Sequence, residues 1–365
     1  RLIHYWVYAV LAVVVGVATY GQFSFLHGTY SGMSATIGMV GPRYLISQTG
    51  FNLLVVFLAG ITFLAFDVRA RDARDRMSEL LESRPPSNGD YMTGKVLGLV
   101  LIAWLPLVLV CALYALAGVL SAVTDLPLGD SVEPMSLLGF LLHAFSALFL
   151  WCCMIALLAM TIRYRLLIAV VSLGLIALQF WAALNVPLYI LQWTSLMPSL
   201  VLASDILPTL GADGDGLRML AYVVFGAGLL CVATALNPRR DGSSKRETVL
   251  VCVVMLSASI ALLGANVWLS NQRIEQGAIW RAAHEANQAR PRADLKSLSG
   301  TLVLNPGESI AMNLDLEVIV PPGEPSSTIL FTLNPGISIE ELTADGIRST
   351  WTHSNGLFEV ALPEP

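Results

Sequence analysis

The sequence predicts an α-helical polytopic membrane protein that ends in a small extracytoplasmic β-rich domain. Three observations carry this. Of 365 residues, 55% are hydrophobic and only 13% charged, against roughly 25% charged in an ordinary globular domain, which excludes a soluble protein. Seven apolar stretches approach the roughly 20 residues that a bilayer core demands, because lipid offers a broken backbone no hydrogen-bond partner. Beyond residue 296 the apolar period changes from 3.6 to 2.

The stretches run approximately Leu2 to Tyr20, Phe51 to Phe66, Val96 to Val123, Ser136 to Ile162, Leu166 to Ile190, Met219 to Leu236 and Thr248 to Leu269. The first lacks a small-x-small cleavage site and is read as a retained span. Cys111, Cys152, Cys153, Cys231 and Cys252 all fall in apolar runs, so they read as buried thiols and not as a disulfide framework or a paired metal site.

Orientation follows from the bias of Lys and Arg toward the cytoplasm. Thirteen lie in one set of alternate connections, from Arg1 through Arg69–Lys95, Arg163 and Arg165 to Arg239–Arg246; only Arg43 and Arg218 lie in the other. The residue-1 end is therefore predicted to be cytoplasmic, and seven crossings put the tail outside. Up to residue 270 the chain carries 15 Lys and Arg against 14 Asp and Glu; the remainder carries 6 against 12. This balance argues against a nucleic-acid partner.

The loop between the second and third spans is the most informative. Ala73, Met77, Leu80 and Leu81 recur at i, i+4, i+7 and i+8 on an otherwise charged segment, Asp67 to Ser83, which predicts a helix of roughly 25 Å with one narrow apolar stripe. Pro85 and Pro86 end it. The Asp72–Arg76 pair adds only a few tenths of a kcal/mol, so the stripe needs a surface: the anionic inner leaflet, another part of the chain, or a groove on a cytoplasmic protein.

Arg71-Asp72, Glu79-Leu80-Leu81, Pro85-x-Ser87 and Tyr91-x-x-Gly94-Lys95 together resemble the signature between the second and third spans of ABC exporter permeases of the type-2 (type V) class. Arg76-Met77 stands where that family usually has Gly-Thr. The resemblance covers approximately residues 1–240 and implies a six-span permease. It implies that 67–83 is the coupling helix, which in that family sits in a cleft of a separate ATPase subunit and relays its closure to the spans. It also implies that ATP and Mg are bound by the partner, that this chain holds no cofactor, that a second permease copy or paralogue completes the pathway, and that the outer connection 191–210 forms a short helical hairpin. Arg71, Asp72, Ala73, Met77, Glu79, Leu80, Leu81, Pro85, Ser87 and Lys95 are then the ATPase-coupling residues. The implied location is a bacterial inner membrane.

Two motifs look catalytic and fail. Gly89 to Val96 comes within one residue of G-x-x-x-x-G-K-[ST], but Val96 cannot ligate magnesium and no buried parallel strand precedes the loop. His284-Glu285-x-x-Gln288 has glutamine where the second zinc ligand of H-E-x-x-H belongs, so His284 reads as a polar stalk residue.

His143 is the one ionisable residue placed deep in a span, which makes it the intramembrane polar candidate; a neutral imidazole bonded to a neighbouring helix is the plainer reading. With no Asp, Glu, Lys or Arg expected inside the spans, an ion-driven carrier is disfavoured. Ala12-x-x-x-Gly16 offers a close-approach face for another helix.

The seventh span, within 241–270, leads to a stalk, 271–296. From Ser309 to Val320 every even position is apolar while Asn313, Asp315 and Glu317 line the other face, which predicts a half-buried strand. Further strands are predicted at Thr328–Leu333, Ile337–Thr343, Ile347–His353 and Leu357–Leu362, separated by turn residues that include Asp345-Gly346 and Asn355-Gly356. The run Leu302-x-Leu304-x-Pro306-Gly307, Leu333-Asn334-Pro335-Gly336, Asp345-Gly346 and Leu362-Pro363 resembles the start of the N-terminal β domain of aminopeptidase-N-like zinc metallopeptidases. None of that family's catalytic residues lies in these positions. About 70 residues cannot easily bury such a face alone, so residues 297–365 are expected to be completed by further chain or by another molecule. Two functions follow: a permease subunit of an ATP-driven exporter, or a multispan anchor or receptor that positions an extracytoplasmic peptidase and transports nothing.

Overall fold

The computed structural model describes residues 2–30, 42–65, 87–124, 134–186, 196, 215–237, 245–290, 294–305, 309–319 and 328–362. Seven helices precede seven strands among them: α1 Leu2–Tyr30, α2 Pro42–Ala65, α3 Asn88–Val123, α4 Pro134–Thr161, α5 Arg165–Asn185, α6 Asp215–Leu236 and α7 Lys245–Ala286, then β1 Asp294–Asn305, β2 Ser309–Ile319, β3 Thr328–Thr332, β4 Thr343–Ala344, β5 Ile347–Arg348, β6 Trp351–Ser354 and β7 Leu357–Ala361. Six of the helices are long and apolar enough to cross a membrane; in α2 the stretch that qualifies as apolar, Asn52–Ala65, is shorter. The chain divides into two compact units, Arg1–Val267 and Trp268–Pro365.

In the first unit the apolar periodicity is satisfied by helices that bury one stripe against each other and leave the rest of the surface apolar. Leu53, Phe57, Val100, Leu107, Leu148 and Ile155 are almost wholly buried. With apolar side chains facing in every direction, hydrogen bonds between helices set the register, since an unbonded polar group here would be costly. Tyr8 on α1 donates to the carbonyl oxygen of Ala103 on α3 at 2.8 Å. Tyr114 on α3 donates to Gly16 O at 2.7 Å and lies 2.9 Å from the hydroxyl of Thr49 on α2, so one phenol joins three helices. Trp151 on α4 donates its indole N–H to Leu58 O on α2 at 2.9 Å, and Trp104 on α3 to Leu141 O on α4 at 3.0 Å.

The Ala12-x-x-x-Gly16 face packs inside the chain. Ala12 is fully buried, and a Cβ at Gly16 would lie 2.7 Å from Val110 of α3. The first part of α7 belongs to the same unit: Ser259 donates to Ala221 O at 3.1 Å, and Leu256 fills the space beside Gly228 on α6. The seventh span and the helical stalk, expected as separate pieces, form one continuous helix to Ala286.

The second unit holds three small antiparallel sheets, β1-β2, β3-β7-β6 and β4-β5. Asp345-Gly346 and Asn355-Gly356 turn with positive φ at both residues, the geometry that two-residue hairpins require. Ile329, Leu330, Phe358 and Val360 form its small core, and Arg290 after α7 pairs with Glu359 of β7.

Three strand expectations need correction. Ile337–Leu342 makes no ladder, and only Thr343–Ala344 pairs. Ile347–His353 is broken at Ser349 and Thr350 into β5 and β6, because Ser349 N–H instead bonds Leu342 O and Thr350 O accepts from Ala361. The even positions of β2 share one face, yet that face is exposed rather than half-buried. A strand the pattern missed, β1, covers Asp294–Lys296 of the expected stalk and pairs along the whole of β2.

Candidate functional site

The predicted coupling residues divide at residue 87. Arg71, Asp72, Ala73, Met77, Glu79, Leu80, Leu81 and Pro85 lie outside the described residues, as does 191–210 apart from Leu196. Ser87 and Lys95 are described, and both sit where the loop becomes α3. Ser87 is the N-cap: its hydroxyl accepts from Asp90 N–H at 3.0 Å, while the Asp90 carboxylate accepts from Ser87 N–H at 3.3 Å. This reciprocal box satisfies two backbone donors that a helix start leaves open. The loop motif marks Ser87 only as a coupling residue; the signal that would have found its capping role is the Ser87-x-x-Asp90 spacing.

Lys95, two turns on, is half-buried with its ammonium 4.4 Å from the centre of the Tyr91 ring. It borders a narrow apolar cleft between the ends of α2, α3 and α4, with Ala65, Met92, Cys152 and Ala159 in its wall. Gly89 and Gly94 are both inside α3, so the residues between them are a helix and not a loop.

A second cluster lies within the bundle. His143 on α4 is 5% exposed, and its Nε2 lies 3.2 Å from the carbonyl oxygen of Leu196. A carbonyl only accepts, so Nε2 carries the proton. The amide of Leu196 in turn donates to the Oε1 of Gln179 on α5 at 3.3 Å. The imidazole is thus bonded to the connection between α5 and α6 rather than to a neighbouring helix.

Arg218, counted from the sequence as an inter-span residue, is in the first turn of α6 and only 2% exposed, close enough for its charge to act on His143. This corrects the expectation of spans without a buried cation. A charge count along the sequence treats a residue before the apolar run as loop; here it lies inside the first turn of α6 and is buried. Sequence offered one signal: Arg218 directly precedes the apolar run that begins at Met219.

His284 lies in the last turn of α7, and a Cβ at Gly356 would sit 2.9 Å from its Nε2. It packs against the β6–β7 turn. No group of three or more His, Cys, Asp or Glu side chains that could hold a metal occurs among the described residues.

These features define a chain whose apolar helices can cross a membrane and whose C-terminal part is β-rich. No protein-family model, no curated protein and no solved structure matches it.

Proposed function

We propose that this chain is the membrane-spanning permease subunit of an ATP-driven exporter of the ABC type-2 class, with its first residue in the cytoplasm and its β domain outside the inner membrane. The observation that carries the reading is the sequence of 67–87, whose spacing predicts a charged helix with a single apolar stripe and a double-proline stop, leading into the Ser87 cap of α3. A stripe of this width fits a groove on a soluble partner, and the capped start of α3 supplies a stiff element through which a push could reach the bundle. ATP and Mg belong to that partner; this chain contributes the lever. A second copy or a paralogue closes the pathway.

Arg218 does not revive ion-driven transport: it is a single residue in the first turn of α6, whereas proton and ion relays are built from chains of Asp, Glu and His inside the spans.

The test is co-purification of the full chain from membranes, followed by ATPase measurement in vesicles. The intact chain is expected to retain an ATPase subunit, and the double substitution Leu80→Asp and Leu81→Asp to release it or uncouple its activity. An intact chain that retains no ATPase, or a double variant with unchanged activity and transport, removes the reading.

A further inference from the structure

Among the described residues, nothing packs on one face of the β1–β2 hairpin. The register pairs Leu304 with Ile310, Leu302 with Met312, Gly300 with Leu314 and Leu298 with Leu316. Alternation puts all of these on one side, and Leu298, Leu302, Ile310, Met312, Leu314 and Leu316 are each between 40% and 60% exposed. Thr301, Asn313, Asp315 and Glu317 line the opposite side, where Lys296 and Glu317 form an ion pair. The uncovered apolar face amounts to on the order of 600 Å2, the upper end of what a typical monomer leaves in water.

We propose that the occupant of this face is the same face of a second copy of the chain. Two such faces bury about 1,200 Å2 together, which reaches the lower bound of a stable specific interface. A two-fold contact requires a patch complementary to itself, and this one carries no charge that would oppose its own image. Its relief is complementary too. Gly300 leaves a dent beside Leu314 at the middle of the face; its backbone runs so close to Asn313 O, at φ +152°, that no side chain fits there. With the two-fold axis between these positions, Leu314 of each copy fills the dent over Gly300 of the other. Tethering both copies to one membrane raises their effective concentration. The pairing goes beyond the permease reading and does not depend on it.

The experiment places a cysteine at Leu314 (Leu314→Cys) in the full chain, reconstituted in vesicles, and treats it with a short bismaleimide. Asp315→Cys, on the polar face of the same strand, is the comparison, and Leu316→Cys is a second position if Leu314→Cys does not fold. The native thiols at Cys111, Cys152, Cys153 and Cys252 are buried, and the unsubstituted chain sets the background. A denaturing gel is expected to show Leu314→Cys shifted to the mass of two chains and Asp315→Cys remaining at one, with the shift lost when Leu302→Glu is added. The shift should persist in membranes stripped of any ATPase, which separates it from the permease question. The proposal is overturned if Leu314→Cys and Leu316→Cys give no more homodimer than Asp315→Cys. That covers thiols found open to water, quenched by brominated lipid, shielded by their own chain or linked to a different protein.

Discussion

The ring of Tyr8 lies in the space that a side chain at Gly60 would occupy, so α1 and α2 meet at an aromatic ring seated on bare backbone. The same side chain reaches Ala103 O on α3 with its hydroxyl and meets Phe57 edge-on at 5.3 Å between ring centres. One residue therefore ties three helices. Gly60→Ala forces the Tyr8 ring out of its seat and is expected to lower stability by about 1–3 kcal/mol, whereas Tyr8→Phe keeps the ring, loses one buried hydrogen bond and costs about 1 kcal/mol. Thermal unfolding in detergent, followed by a thiol-reactive dye that reports exposure of the buried cysteines, gives both values; a Gly60→Ala variant as stable as the unsubstituted chain would contradict the seating.

His143 and Gln179 hold Leu196 from both sides of its peptide, one through the carbonyl and one through the amide. Gln179→Leu is expected to speed hydrogen exchange at the Leu196 amide directly. His143→Leu should speed it indirectly by releasing the carbonyl. Exchange measured by mass spectrometry on peptides spanning Leu196 checks this, and unchanged protection in both variants would refute the double hold.

The Asn355-Gly356 turn carries two separable constraints. Gly356 has φ +78° and faces His284 at close range, so Gly356→Ala adds backbone strain of about 1 kcal/mol together with a steric clash. His284→Ala should relieve the clash and leave the strain. A double-mutant cycle on the melting of the full chain is expected to show partial rescue, and strict additivity would mean that His284 does not restrict the turn.

Glu317 responds to acid. The Lys296 ammonium first, and the Ser297 hydroxyl at 3.0 Å second, hold its carboxyl below the usual carboxylate range. A depressed value contributes hairpin stability that is present above the ordinary carboxylate pKa, about 4.3, and is lost as pH falls through the lower folded value. Lys296→Met and Glu317→Gln are each expected to flatten this acid dependence in amide exchange of β1 and β2. Because both groups are more than half exposed, high salt should flatten it as well.

Much of the helical part was legible because crossing a membrane is a demand on composition: about 20 apolar residues in a row can be recognised without knowing their neighbours. The turns were legible for a similar reason, since Asp345-Gly346 and Asn355-Gly356 settle their geometry within four residues; the Ser87-x-x-Asp90 cap is equally local but was not anticipated. Ile337-Ser-Ile-Glu340 alternates and then loses phase at Glu341 and Leu342; the segment lacks a ladder, since a local pattern describes a chain's two faces and pairing depends on a second strand. The even residues of β2 were correctly placed on one face, while the burial of that face was a property of whatever lies across from it.

By itself, the sequence determined where the apolar helices run, where the turns reverse and which residues share a face, because each of these depends on local sterics and on transfer from water. Tertiary structure alone decided that Arg218 is buried near His143, that Leu196 is held between His143 and Gln179, and that Tyr8 rests on Gly60. Those relationships join residues far apart in the chain through packing and hydrogen bonds, and such contacts exist only after the helices have chosen their partners.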